Sequence, residues 1–149
     1  MVIRCIKIAL LALLVSGCAG KIGAFQQTVV IKNDRGGLIG NFTAKYKRWD
    51  AANKKVVIDG YCASSCTIFI GTIKPQNVCL TKNAILGFHG AWGLSWGGKE
   101  ELKDQTHLMT DYYTLPINAW IATRGGLGTY KKMILMSYPE TALYFRMCQ

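Results

Sequence analysis

The stretch Val56-Val57-Ile58-Asp59-Gly60-Tyr61-Cys62-Ala63-Ser64-Ser65-Cys66-Thr67 decides the fold. Val56-Val57-Ile58 is a β-branched run, so residues 55–59 read as a buried strand that ends at Gly60. Small residues then lead into the apolar segment 67–70, which is too short to type by its own periodicity but is helical in context. Where a strand passes through a small-residue turn into a helix, the first N–H groups of the helix have no intrahelical acceptor and carry partial positive charge. A serine hydroxyl placed there can act as a nucleophile, with a neighbouring N–H receiving the developing oxyanion. Capping accounts for the same serine, because Ser is a favoured N-cap residue.

Upstream, residues 28–31 form another β-branched run that stops at Asn33-Asp34-Arg35-Gly36-Gly37, a strand entering a glycine turn. Leu38, Phe42, Tyr46 and Trp49 recur at helical spacing, with Lys45, Lys47, Arg48 and Asp50 on the other side, so residues 38–49 read as an amphipathic helix. Downstream, two short strands are expected at 78–80 and 85–89. A Gly- and Trp-rich loop follows over 90–98, then a long helix from 99 to about 122 that Pro116 should kink or break. A last amphipathic piece, 129–136, precedes a tail with Pro139 and Glu140. Strands alternating with helices argue for an α/β domain with a largely parallel sheet and a helical C-terminal part. In such a sheet the carboxyl ends of the strands share one edge, where ligands bind, so Ser64, His89 and Gly36-Gly37 should converge there.

The first residues carry a different signal. Arg4 and Lys7 precede the apolar run 8–15, then Ser16 and Gly17 stand before Cys18, the pattern of a signal peptide. The run is shorter than the roughly 20 apolar residues that span a bilayer as a helix. Leu14-Val15-Ser16-Gly17-Cys18 resembles the bacterial lipobox, which implies cleavage before Cys18 and lipid attached to it. An ordinary secretory peptide is the alternative. The expected division is therefore a lipoprotein signal peptide over 1–17, a tether over 18–27 and one domain over 28–149. The location implied is the bacterial cell envelope, on a membrane facing the periplasm, with Ala19 favouring the outer membrane.

The mature chain of 132 residues keeps 16 basic and 8 acidic residues, a formal charge of +8 that favours anionic lipid or cell-wall polymers. Its cations are scattered and not interleaved with stacking aromatics, so nucleic acid is not an expected partner. Outside the cytoplasm Cys62, Cys66, Cys79 and Cys148 should pair, with three full connectivities open. If Cys62 and Cys66 both lie on helical turns, their side chains stand roughly 6 Å apart, too far for a disulfide, and each needs a distant partner. A lone CxxxC without a second pair or clustered histidine makes a poor zinc site, so no metal is expected.

With these residues in view, the sequence resembles the Clp-protease/crotonase (ClpP-like) superfamily, in which a Gly-Gly turn, a Gly-x-Ala-Ala-Ser-type elbow and a strand ending in Phe/Ile-His follow in order. Here they correspond to Gly36-Gly37, Gly60-Tyr61-Cys62-Ala63-Ser64 and Gly87-Phe88-His89, over residues 28–140. The likeness is closer to small exported members with a Cys-x-Ser-x-Cys elbow. It implies ClpP/crotonase-like repeated ββα units, Ser64 as nucleophile in preference to Ser65, and His89 as general base. It further implies an oxyanion hole from the N–H groups of Gly37 and Ser65, and Glu140, or else Asp111, as the acid. A Cys66–Cys79 bridge would then staple the elbow to the sheet, leaving Cys62 and Cys148 as a second pair. His107, among polar neighbours, reads as a solvated or partly buried helix residue, and Trp92 and Trp96 as a lid or hydrophobic specificity surface, or else as loop packing.

Two functions follow from the resemblance. One is an envelope serine hydrolase, a peptidase, acting on peptide or protein substrates through a Ser-His pair, with no cofactor. The other is a catalytically inactive ClpP-like lipoprotein that serves as a binding or scaffold module. The family also raises a homo-oligomer, whereas coenzyme A chemistry and an ATP-driven partner suit an exported compartment poorly.

Overall fold

In a computed structural model of the chain, strand β2 (Lys55–Ala63) runs through the middle of a five-stranded sheet. The structure describes residues 27–149; the expected signal peptide, Cys18 and the expected tether fall on residues 1–26 and lie outside the described residues. Strand β1 (Thr28–Asp34) pairs with one edge of β2 in parallel, and the two are joined by helix α1 (Ile39–Ala51). Along the other edge, β3 (Val78–Leu80) pairs with Val56–Ile58 and β4 (Ile85–Phe88) with Tyr61–Ala63, both parallel and lying end to end. Strand β7 (Ile134–Ser137) closes the sheet antiparallel to β4. The domain is thus α/β with a mainly parallel sheet, as the alternation of strands and helices predicts.

β2 does not stop at Gly60. Ile31 is opposite Ile58, but Asn33 is opposite Tyr61, so β2 carries one extra residue between these pairs, a bulge. A Cβ at Gly60 would lie 2.1 Å from the Lys32 carbonyl oxygen. Glycine there lets β2 continue past β1 instead of ending it, which carries the strand forward to Ala63.

Beyond Ala63 the chain enters a 3-10 helix (Ser64–Ile68) that continues as the short helix α2 (Phe69–Thr72). The expected long helix is two, α3 (Lys103–Asp111) and α4 (Leu115–Ala122). Pro116 sits in the first turn of α4, where a missing N–H costs nothing, so it helps to start that helix instead of kinking a longer one. The expected loop 90–98 holds most of a β-hairpin, β5 (Trp92–Ser95) and β6 (Gly98–Glu101), antiparallel with Ser95 opposite Gly98. The amphipathic piece at 129–136 resolves into the strand β7, whose residues alternate buried and exposed with period two.

The core lies between the sheet and its helices: Ile58, Leu86 and Met136 from the strands, Tyr46 from α1, Phe69 from α2, Met109 from α3 and Ile117 from α4 are all fully or nearly fully buried. Phe88, the last residue of β4, packs edge-on against Tyr113 at 5.4 Å and tilted against Trp120 at 5.7 Å between ring centroids. These contacts fix the strand end from which His89 emerges.

Both cysteine pairings differ from the expected ones. The bridges are Cys62–Cys66 and Cys79–Cys148. Cys62 belongs to a strand, not to a helical turn, and the chain reverses at Ser64, which brings the Cα atoms of Cys62 and Cys66 to 5.4 Å. The helical geometry that excluded this pair does not exist there. Cys79 in β3 instead takes the tail: Met147 forms a parallel bridge with Leu80, the Leu80 N–H donates to the Arg146 carbonyl, and the Cys148 N–H donates to that of Leu80. Cys148 therefore arrives beside Cys79.

Candidate active site

Three chain segments reach one edge of the sheet together. Ala63 stands opposite Gly87 and Asp34 opposite Cys62, so Ser64, His89 and the Gly36-Gly37 turn leave adjacent strand ends. They line one cleft of about 500 Å³, walled by Leu38, Trp92, Leu94, Leu102 and Met109, with Arg35 and Gln105 among its polar residues. The convergence expected from a parallel sheet is present.

Ser64 is half-buried and has φ +57°, a left-handed backbone that costs a side-chain-bearing residue about 1–2 kcal/mol. Its neighbours brace the turn on either side. The Thr67 hydroxyl donates to the Ser64 carbonyl at 2.6 Å and is 2.7 Å from the buried Tyr113 hydroxyl. With the Thr67 proton spent on Ser64, Tyr113 is the donor in that second bond. Burial raises the Tyr113 pKa. The Tyr46 hydroxyl donates to the Cys66 carbonyl at 2.9 Å, and burial first, then the Asp34 charge, raise its pKa well above that of free tyrosine. Gly36, at φ +81°, lies flat against the elbow; a Cβ on it would come within 2.7 Å of both the Ser64 Cβ and the Ala63 carbonyl oxygen. The Ser64 hydroxyl itself makes no hydrogen bond among the described residues.

His89 is buried, with Nδ1 2.6 Å from the Gly90 carbonyl oxygen. A carbonyl only accepts, so in the neutral ring Nδ1 carries the proton and Nε2 keeps the lone pair, the tautomer that a general base needs. Ser64 and His89 line the same cleft without a hydrogen bond between them. Such contacts often close only when substrate is bound.

The expected acid is elsewhere. Glu140 accepts from Trp120 Nε1 at 2.6 Å and pairs with Arg124, and it does not line the cleft. Asp111, at the end of α3, is exposed and also lies off the cleft. Among the described residues no carboxylate bonds His89; the Gly90 carbonyl orients the ring in its place. One of the two expected oxyanion donors is already engaged. The Gly37 N–H is bound by the Ser65 hydroxyl at 2.7 Å, and that hydroxyl donates back to the Gly37 carbonyl. Ser65 is fully buried, so its hydroxyl clamps the glycine turn and is not presented to substrate.

Sequence reasoning missed Thr67, Tyr113 and Tyr46 as supports of the elbow. Thr67 lies three residues after Ser64, a spacing that offers a hydroxyl to the Ser64 carbonyl, whereas the two tyrosines come from distant elements and carry no local signal. Trp92 lines the cleft, while Trp96 stands fully exposed in the turn between β5 and β6. His107 is exposed, as expected. Among the described residues no three His, Cys, Asp or Glu side chains are grouped to hold a metal ion, and no helix is long and apolar enough to cross a membrane.

No family model matches the chain, and neither does any curated protein. Among solved structures it is similar to the ClpP1 N165D mutant from Listeria monocytogenes, with TM-score 0.41 and 16% identity over 80% of this chain and 88% of that one. At that level of similarity the chemistry of the site stands on the geometry of this chain alone.

Proposed function

We propose that the protein is a serine hydrolase acting on peptide bonds at a bacterial envelope, tethered to the membrane through lipid on Cys18. The observation that carries the reading is Ser64: a non-glycine residue in left-handed backbone at the end of the central strand, its hydroxyl unpaired, in a cleft it shares with His89. Strained backbone of this kind persists where the surroundings over-determine it, and it gathers at functional sites.

In the reaction the Ser64 Oγ attacks the acyl carbon and its proton passes to His89 Nε2. The C–N bond then breaks and that proton leaves with the amine. Water, activated by the same nitrogen, hydrolyses the acyl-enzyme and restores both residues. The Ser65 N–H, in the first turn of the 3-10 helix, is one donor to the oxyanion. The Gly37 N–H becomes the second once the oxyanion, a stronger acceptor than a hydroxyl, replaces Ser65 Oγ.

A second reading, a binding or scaffold module with a decayed site, is favoured by the engagement of Glu140 with Arg124 and by the occupied Gly37 N–H. A fluorophosphonate probe separates the two. Labelling of the mature chain that is lost in Ser64→Ala supports the hydrolase; no labelling of folded protein overturns it.

A further inference from the structure

We propose that the Cys62–Cys66 disulfide is a positioning element for the nucleophile, so that the reactivity of Ser64 depends on this bridge being closed. The inference rests on the hydrolase reading and adds to it a device that acts on Ser64 without touching substrate.

The bridge spans four residues and encloses Ser64 at its centre. Four residues of extended chain would reach about 13 Å, yet the two Cα atoms are 5.4 Å apart, so the chain must fold back within the three residues between the cysteines. The left-handed φ of Ser64 makes that reversal. Opening the ring would let Ser64 relax to the negative φ that side-chain-bearing residues prefer, which would swing its hydroxyl away from His89.

Position also argues against a general stapling role. A span of four residues gains little from chain entropy, whereas the 69-residue span closed by Cys79–Cys148 gains far more. The short bridge instead restrains the backbone at residues 63–65 and little else. Both of its cysteines are fully buried, and the Tyr46 hydroxyl, within 2.9 Å of the Cys66 carbonyl and 3.6 Å of Cys66 Sγ, ties the far end of the ring to α1. One end of the clamp is thus set by β2 and the other by a buried tyrosine, which leaves Ser64 no freedom to shift as a unit with its ring.

The test compares two double variants of the mature chain at a temperature where both are folded by circular dichroism. Cys62→Ala/Cys66→Ala should slow fluorophosphonate labelling of Ser64 by roughly tenfold to a hundredfold, the cost of a misplaced nucleophile. Cys79→Ala/Cys148→Ala should melt at a lower temperature yet label within about twofold of wild type, because its site is remote. Equal labelling of Cys62→Ala/Cys66→Ala and wild type overturns the inference and leaves the hydrolase standing. So does a loss of labelling that follows melting temperature in both variants. If Cys62→Ala/Cys66→Ala does not fold, the folded Cys79→Ala/Cys148→Ala chain is reduced with a phosphine until thiol titration shows the Cys62–Cys66 bridge open, then reoxidised, and labelling should fall and then return; an unchanged rate with the bridge open overturns the inference. Absence of labelling in wild type removes the hydrolase reading. A crystal structure of Cys62→Ala/Cys66→Ala then decides the positioning alone: Ser64 still at positive φ contradicts it, and Ser64 at negative φ supports it.

Discussion

Replacing Ser64 by glycine should stabilise the protein relative to Ser64→Ala while abolishing any chemistry at the site. At φ +57° both serine and alanine bear the left-handed penalty of about 1–2 kcal/mol, and glycine does not. Glycine ordinarily returns about 0.5–1 kcal/mol of this through the larger entropy of its unfolded chain. Here the Cys62–Cys66 ring persists in the unfolded oxidised chain and limits that entropy, so less is returned. Ser64 is half-exposed and its hydroxyl is unpaired, so little packing and no hydrogen bond are lost with the side chain. The net gain is about 1 kcal/mol over alanine, which for a domain of this length raises the melting temperature by about 4 °C. Thermal unfolding of the Gly and Ala variants under oxidising conditions measures it. A glycine variant that melts at or below the alanine variant would refute the account of Ser64 as a strained residue held in place by its surroundings.

Other consequences are open to measurement. Closing a span of 69 residues, the Cys79–Cys148 bridge should contribute about 4 kcal/mol on the chain-entropy model, so Cys79→Ala/Cys148→Ala should lower the melting temperature by roughly 15 °C. The raised pKa values of Tyr46 and Tyr113 mean that the folded state keeps both neutral while the unfolded chain ionises near pH 10. Stability from these residues is therefore complete below pH 10 and is lost as the pH climbs above it. Absorbance titration should show two tyrosines that ionise only on unfolding, and Tyr46→Phe or Tyr113→Phe should remove one each. On the proposed lipid attachment, the full 149-residue chain expressed in a bacterium should incorporate labelled fatty acid and partition with membranes, and Cys18→Ser should do neither.

The legible parts of the fold were those in which local chemistry and tertiary context agree. The β-branched run Val56-Val57-Ile58 marks β2, and the Phe42, Tyr46 and Trp49 stripe marks α1, because each pattern is the one its burial requires. A glycine after an apolar run signals a strand end, but β2 continues past Gly60, which serves a close approach to Lys32 and not a turn. Because β2 extends to Ala63, Cys62 lies on a strand and not on a helical turn, and the pairing of all four cysteines changes with it. The hairpin of β5 and β6 was hidden because Gly93, Gly97 and Gly98 interrupt the alternation that identifies strands. In β7 the run Ile134-Leu135-Met136 is apolar on both faces, so its period of two appears only in the burial. At the site, Ser64, His89 and the glycine turn could be placed from strand ends alone. The partners of Glu140 could not, since Trp120 and Arg124 reach it from α4 and the turn after it through packing that no local pattern encodes.

The most direct test of the central claim is the site of covalent modification in the folded protein. Incubation with a fluorophosphonate, digestion and mass spectrometry should place the phosphonyl group on Ser64, with labelling lost in Ser64→Ala and strongly slowed in His89→Ala. Folded wild-type protein that stays unmodified, or that carries the group on Ser65 or another residue while Ser64 is untouched, would contradict it.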